Sequence, residues 1–105
     1  MVTKNDCWDA NLVFRIEDGF CLPFVAEIDG KIYVGDCDNL NEFNTLEEAN
    51  MHCRGILLSP DEFESARRLV EEDPNGNASS EYRRHCDALL QLSALRRLRN
   101  AGTRV

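Results

Sequence analysis

The sequence predicts an α+β fold: a three-stranded antiparallel β-meander over about residues 11–36, followed by two to three α-helices packed on one sheet face. Three features carry that expectation. Two Asp-Gly pairs each separate extended apolar runs, two helix-start signatures follow residue 43, and a leucine-rich segment comes near the end. The 105 residues fit a single domain with one core, spanning 1–105.

Asp18-Gly19 and Asp29-Gly30 suit the two positive φ angles of a type I′ turn, whose twist matches that of a hairpin. They imply strands over roughly 12–17, 20–28 and 31–35. Two-residue turns also fix register. The first hairpin then sets Ile16 against Cys21, Phe14 against Pro23 and Leu12 against Val25. The second sets Ile28 against Lys31, Glu27 against Ile32 and Val25 against Val34. Leu12, Phe14, Ile16, Cys21, Val25, Ile32 and Val34 thereby share a core face. Pro23 cannot donate to a ladder, so a bulge there, or pairing that begins at Phe24, is expected.

The opposite face carries Val13, Phe20, Leu22, Phe24, Ala26, Ile28 and Tyr33, with Arg15 and Lys31. A sheet with one wet face alternates apolar and polar residues. This one does not, so either a second layer covers it or it is an exposed apolar patch of the kind that marks an interface.

Thr45 with Glu48 three residues on forms a capping box, and Leu46, Ala49, Cys53 and Ile56 then fall on one side of a helix over about 45–57, with Gly55 fraying its end. Ser59-Pro60-Asp61-Glu62 repeats the signature with proline at the first helical position, giving a helix over about 60–72. Asp73-Pro74-Asn75-Gly76-Asn77 reads as a loop. Ser79 or Ser80 caps a last helix over about 79–100, with Gly102 near its C′ position. Its acids come early and its arginines late, which suits the helix dipole. Cys86, Leu89 and Leu90 point one way, Leu92 and Leu95 another, and Leu98 a third. A helix that is apolar on more than one side has more than one packing partner.

Charge is unevenly distributed. Residues 1–50 hold 11 acids and 3 bases, a balance of −8, while residues 51–105 hold 8 acids and 9 bases, a balance of +1. The acidic half is expected to repel nucleic acid and attract basic surfaces. No apolar run approaches the roughly 18 residues of a membrane span. The first nine residues carry both charge signs and no apolar segment, against a secretory signal. The five cysteines, Cys7, Cys21, Cys37, Cys53 and Cys86, include no C-x-x-C pair and read as reduced thiols in a soluble cytoplasmic protein. Cys21, Cys53 and Cys86 fall on apolar faces and read as buried.

Chemistry-bearing patterns are sparse. His52-Cys53 and His85-Cys86 could supply zinc ligands only if their helices converged, and the usual zinc spacings are absent. Cys37 lies between Asp36 and Asp38, whose negative charge disfavours a thiolate. Asp36, Asp38, Asn39 and Asn41 lack the glycine and terminal glutamate of a calcium-binding loop. Phosphate-binding, dinucleotide and nucleophile-elbow motifs are absent. The reading is therefore a non-enzymatic protein with no cofactor and no metal.

The stretch 29–50, with its Asp-Gly hairpin, Phe43 and a capped helix carrying Ala49 in its first turn, resembles the small arm-site DNA-binding domains of phage integrases. That resemblance implies a small DNA-binding regulator with a three-strand-plus-helix layout. Such domains read DNA with basic residues on the sheet. Here Arg15 and Lys31 face six acids: Glu17, Asp18, Glu27, Asp29, Asp36 and Asp38.

The favoured reading is a small acidic interaction module, a regulator or inhibitor that docks on a basic, nucleic-acid-binding surface of a partner protein. In size and charge it is similar to small phage-encoded inhibitors such as anti-CRISPR proteins. Glu17, Asp18, Glu27, Asp29, Asp36 and Asp38 are its expected electrostatic contacts. Phe20, Leu22, Phe24, Ile28, Tyr33, Leu92, Leu95 and Leu98 are its expected apolar contacts, to that partner or to a second copy, a homodimer being favoured over a monomer. DNA binding and a zinc domain built on the two His-Cys pairs are the alternatives.

Overall fold

A computed structural model describes Thr3 and residues 12–15, 23–36 and 39–102. Four strands, β1 (Leu12–Arg15), β2 (Phe24–Ile28), β3 (Lys31–Gly35) and β4 (Leu40–Phe43), precede three helices, α1 (Leu46–Ile56), α2 (Pro60–Glu72) and α3 (Asn77–Gly102). The sheet is an antiparallel meander in chain order. The expected three strands and following helices are present, and β4 extends the sheet beyond them.

The second hairpin has the expected register: Ile28 pairs with Lys31, Glu27 with Ile32 and Val25 with Val34. Its turn has the expected cause, with Asp29 at φ 53 and Gly30 at φ 80. The first hairpin differs. Phe14 pairs with Val25 rather than Pro23, Leu12 pairs with Ala26 rather than Val25, and a register shift separates Leu12 from Phe14. The ladder begins at Phe24, so Pro23 is left outside it, where its missing N–H does no harm. Pairing from Phe24 is the second of the two outcomes expected for the proline, and a bulge or irregularity lies on the facing strand between Leu12 and Phe14.

Each helix start has a local cause. The Thr45 hydroxyl accepts from Glu48 N–H at 3.2 Å, and the Glu48 carboxylate accepts from Asn44 N–H at 3.1 Å, a capping box whose return bond falls one residue early. Ser59 caps α2 by accepting from Glu62 N–H at 3.2 Å. Helix α3 begins at Asn77, two residues before the expected serine, because turn bonds from Gly76 N–H to the Asp73 carbonyl and from Ser79 N–H to the Gly76 carbonyl start the coil earlier. At its other end Gly102 is the last helical residue rather than C′.

Helices α1 and α3 lie on one face of the sheet. Val25, Ile32 and Val34 meet Ala49 and Cys53 of α1 and Ala94 and Leu95 of α3. The small side chains on both helices let them approach closely. Helix α2 packs against α3. There Phe63 stacks on Tyr82 with ring centroids 5.5 Å apart and meets His85 at 4.9 Å.

The other sheet face is covered within the subunit over Phe24, Ala26 and Tyr33, and open at Lys31 and Glu42. Phe24, Ala26 and Tyr33 are buried there, flanked by the half-buried Ile28 and Leu40. Phe24 lies across from Gly35, and a methyl group on Gly35 would come within 2.7 Å of its ring and 2.6 Å of the Asn39 carbonyl. That glycine is what lets the aromatic ring settle onto the sheet.

Candidate functional site

Three of the six expected electrostatic contacts are described. Glu27 and Asp29 are exposed at the turn end of β2 and β3. Asp36 is half-buried at the opposite end of β3, where its Oδ1 accepts from Asn39 N–H at 3.0 Å. These three residues thus lie at opposite ends of β3, separated by the length of a strand. Glu17, Asp18 and Asp38 lie outside the described residues.

The expected apolar contacts need a larger correction. Phe24 and Tyr33 are at most 4% exposed and Leu95 is fully buried, so none of the three offers a docking surface. Ile28, Leu92 and Leu98 are half-buried, the two leucines packing on the main core. Phe20 and Leu22 lie outside the described residues. The apolar side chains that α3 does expose are Leu89 and Leu90, and Met51 on α1 is 73% exposed. The cause is the setting of α3. Ala88, Gln91, Ala94 and Leu95 turn inward, so alanine and glutamine take positions that leucine patterning assigns to leucine.

Neither His-Cys pair builds a metal site. The Cys53 thiol is buried and donates to Gln91 Oε1 at 3.7 Å, and burial pushes its pKa up to about 11. His52 leans on Phe43, centroids 5.1 Å apart. His85 is buried, and its Nδ1 accepts from Leu58 N–H at 3.0 Å, fastening the α1–α2 connection to α3. No group of three His, Cys, Asp or Glu side chains positioned to hold a metal occurs among the described residues. Cys53 and Cys86 are free thiols. Cys7, Cys21 and Cys37 lie outside the described residues.

The structure does assemble one polar cleft that sequence patterning leaves unseen. It has a volume of about 260 Å³ and sits where the end of β3 meets α1 and α3. Asp36, Asn39 and Asn41 come from the sheet side, His52 from α1, and Arg84 and Asp87 from α3. Gln91 anchors it. Its Nε2 donates to the Gly35 carbonyl at 3.0 Å while its Oε1 receives the Cys53 thiol, so one buried amide ties α1, α3 and β3 together. Asp87 is half-buried and forms no hydrogen bond or ion pair among the described residues. Burial raises its pKa, Asp36 raises it further, and Arg83 partly offsets both. Burial of that kind disfavours the ionised carboxylate, and a cation brought beside it would favour it. The sequence signal was faint, since Asp36 and Asp87 are distant in the chain and only the sheet-to-helix packing joins them.

On the other sheet face, Glu42 receives the Tyr33 hydroxyl at 3.1 Å and the Lys31 ammonium at 2.9 Å. Hydrogen bonds from Lys31, then Tyr33, hold the Glu42 carboxyl below its ordinary range. Lys31 is one of the two sheet bases that an arm-site-like DNA reader would need, and it is committed to Glu42.

No helix among the described residues is long and apolar enough to cross a membrane. Compared with protein-family models, curated proteins and solved structures, the chain matches none.

Proposed function

We propose that this chain is a small non-enzymatic interaction protein that docks on a basic surface of a partner protein in a reducing, cytoplasmic setting. The observation that carries the reading is its unspent negative charge. The chain is −7 overall, and Glu27, Asp29, Glu47, Glu72 and Glu81 are exposed and form no ion pair among the described residues. Exposed carboxylates steer encounter with a basic surface, and a concave site with a desolvated carboxylate adds specificity. The polar cleft with Asp87 supplies that second element, taking one arginine or lysine side chain of the partner. A partner whose basic surface binds nucleic acid would be inhibited by such occupation, in the manner of small phage-encoded inhibitors.

The test is capture of basic proteins from host lysate by the full chain, beside two variants. Glu27→Lys with Asp29→Lys alters the turn end, and Asp87→Asn alters the cleft. Both variants should lose capture of the same protein, the first mainly through a slower association rate and the second through a faster dissociation rate. Equal capture by wild type and both variants would remove the acidic surface from the mechanism. A wild-type chain that shifts labelled DNA at low salt would replace this reading with the DNA-binding one.

A further inference from the structure

The α1–α3 seam carries a second groove on the side away from the polar cleft. Asn50 and Arg54 stand one turn apart on α1, and Leu92, Arg96 and Arg99 follow over two turns of α3. Together they enclose a cleft of about 120 Å³. Leu92 packs on the core and forms its floor, while the three arginines are exposed at its rim. None of the three forms an ion pair among the described residues, although the chain holds 19 acids against 12 lysines and arginines. Glu47, one turn before Asn50, is not bonded to them either.

Helix dipoles favour a cation in a last turn, which accounts for Arg54 and Arg99 one at a time. They do not account for Arg96, nor for three like charges brought to one concavity in an acidic protein. Like charges at that spacing repel, and an anion between them reverses the sign of the interaction. Guanidinium groups match phosphate oxygens with paired N–H donors.

We propose that Arg54, Arg96 and Arg99 form a receptor for a single phosphate group carried by a small molecule. The cleft holds about four water volumes at ~30 Å³ each, room for one phosphate and its attachment point. The net charge of −7 opposes a long polyanion while leaving a compact one free to enter. This site is independent of docking through the acidic surface.

The test is titration of the full chain with sodium phosphate at constant ionic strength, following the arginine Nε–Hε NMR signals. Phosphate should give saturable shifts at Arg54, Arg96 and Arg99, with chloride giving none. Arg96→Gln and Arg99→Gln should each weaken binding about tenfold with an unchanged thermal transition, the effect of losing one charge-assisted contact. A phosphorylated sugar that saturates the same signals below the phosphate concentration identifies a carried group as the better ligand. Linear shifts that chloride reproduces, or variants that bind as wild type does, would overturn the proposal. So would a short DNA duplex saturating those signals at lower concentration than either phosphate probe.

Discussion

The two sides of the α1–α3 seam use one packing arrangement for different electrostatic ends, one of mixed charge and one carrying arginines alone. Ala49 and Cys53 on α1 face Gln91, Ala94 and Leu95 on α3 in the interior. One flank of that contact presents Asp36, His52, Arg84 and Asp87. The other presents Arg54, Arg96 and Arg99 over a leucine floor. At ~100° per residue a helix sends positions 52 and 56 to one side of its buried stripe and 50 and 54 to the other. Charge can therefore be sorted across a seam without touching the core. The difference between the flanks is one of wiring. The polar cleft is bonded into the sheet through Gln91, whereas the arginine groove is lined by side chains that pair with no carboxylate among the described residues.

The largest expected effect breaks both flanks together. Leu95→Ala removes a fully buried side chain between the helices and the sheet, and should cost about 3 kcal/mol in chemical denaturation. Leu90→Ala, at a position that is 38% exposed, should cost much less. Equal costs would mean that Leu95 is not at the core of the seam.

Gln91→Leu separates the flanks. It keeps the volume but leaves the Gly35 carbonyl without its buried donor and the Cys53 thiol without its acceptor, for a loss of about 1–3 kcal/mol. The polar cleft should loosen, visible as faster amide exchange around Gly35, while phosphate affinity at the arginine groove stays unchanged.

Asp87→Asn sharpens the comparison through pH. Because burial raises the Asp87 pKa above its unfolded value, the ionised group costs stability at neutral pH. That cost disappears as pH falls through the raised folded-state value. The variant should therefore melt above wild type at neutral pH, and the gap should close at about pH 4 and below. A variant that melts below wild type at neutral pH would show that Asp87 has a stabilising partner.

The smallest effect is chemical. With its pKa pushed up to about 11 and its side chain buried, Cys53 should resist thiol reagents in the native protein and react once unfolded. Peptide mapping after alkylation reads this directly, and rapid native labelling of Cys53 would contradict the packing of the seam.

These comparisons show where sequence patterning succeeds. Asp29-Gly30 specifies its turn locally, and with it the whole β2–β3 register. Thr45 and Ser59 specify their helix starts in the same way. Strand β4 escaped because Leu40-Asn41-Glu42-Phe43 has only two apolar residues, and what holds it is pairing with β3. In the first hairpin the departure from the expected register is already present where Arg15 meets Phe24, before the irregularity between Leu12 and Phe14 that no local turn chemistry announces.

Apolar residues on both sides of β2 and β3 are what a doubly covered strand looks like, and Phe24 and Tyr33 follow that rule rather than marking an interface. Neither groove was legible. Each draws residues from two helices, or from the sheet and two helices, so the constellation exists only after packing.

One spectrum tests the central claim that charge is sorted across the seam. An arginine-rich peptide and sodium phosphate would be added in turn to the same isotope-labelled chain. The peptide should shift Asp36, His52 and Asp87 and leave Arg54, Arg96 and Arg99 in place, with phosphate doing the reverse. Both additions moving the same residues, or neither moving any, would contradict it.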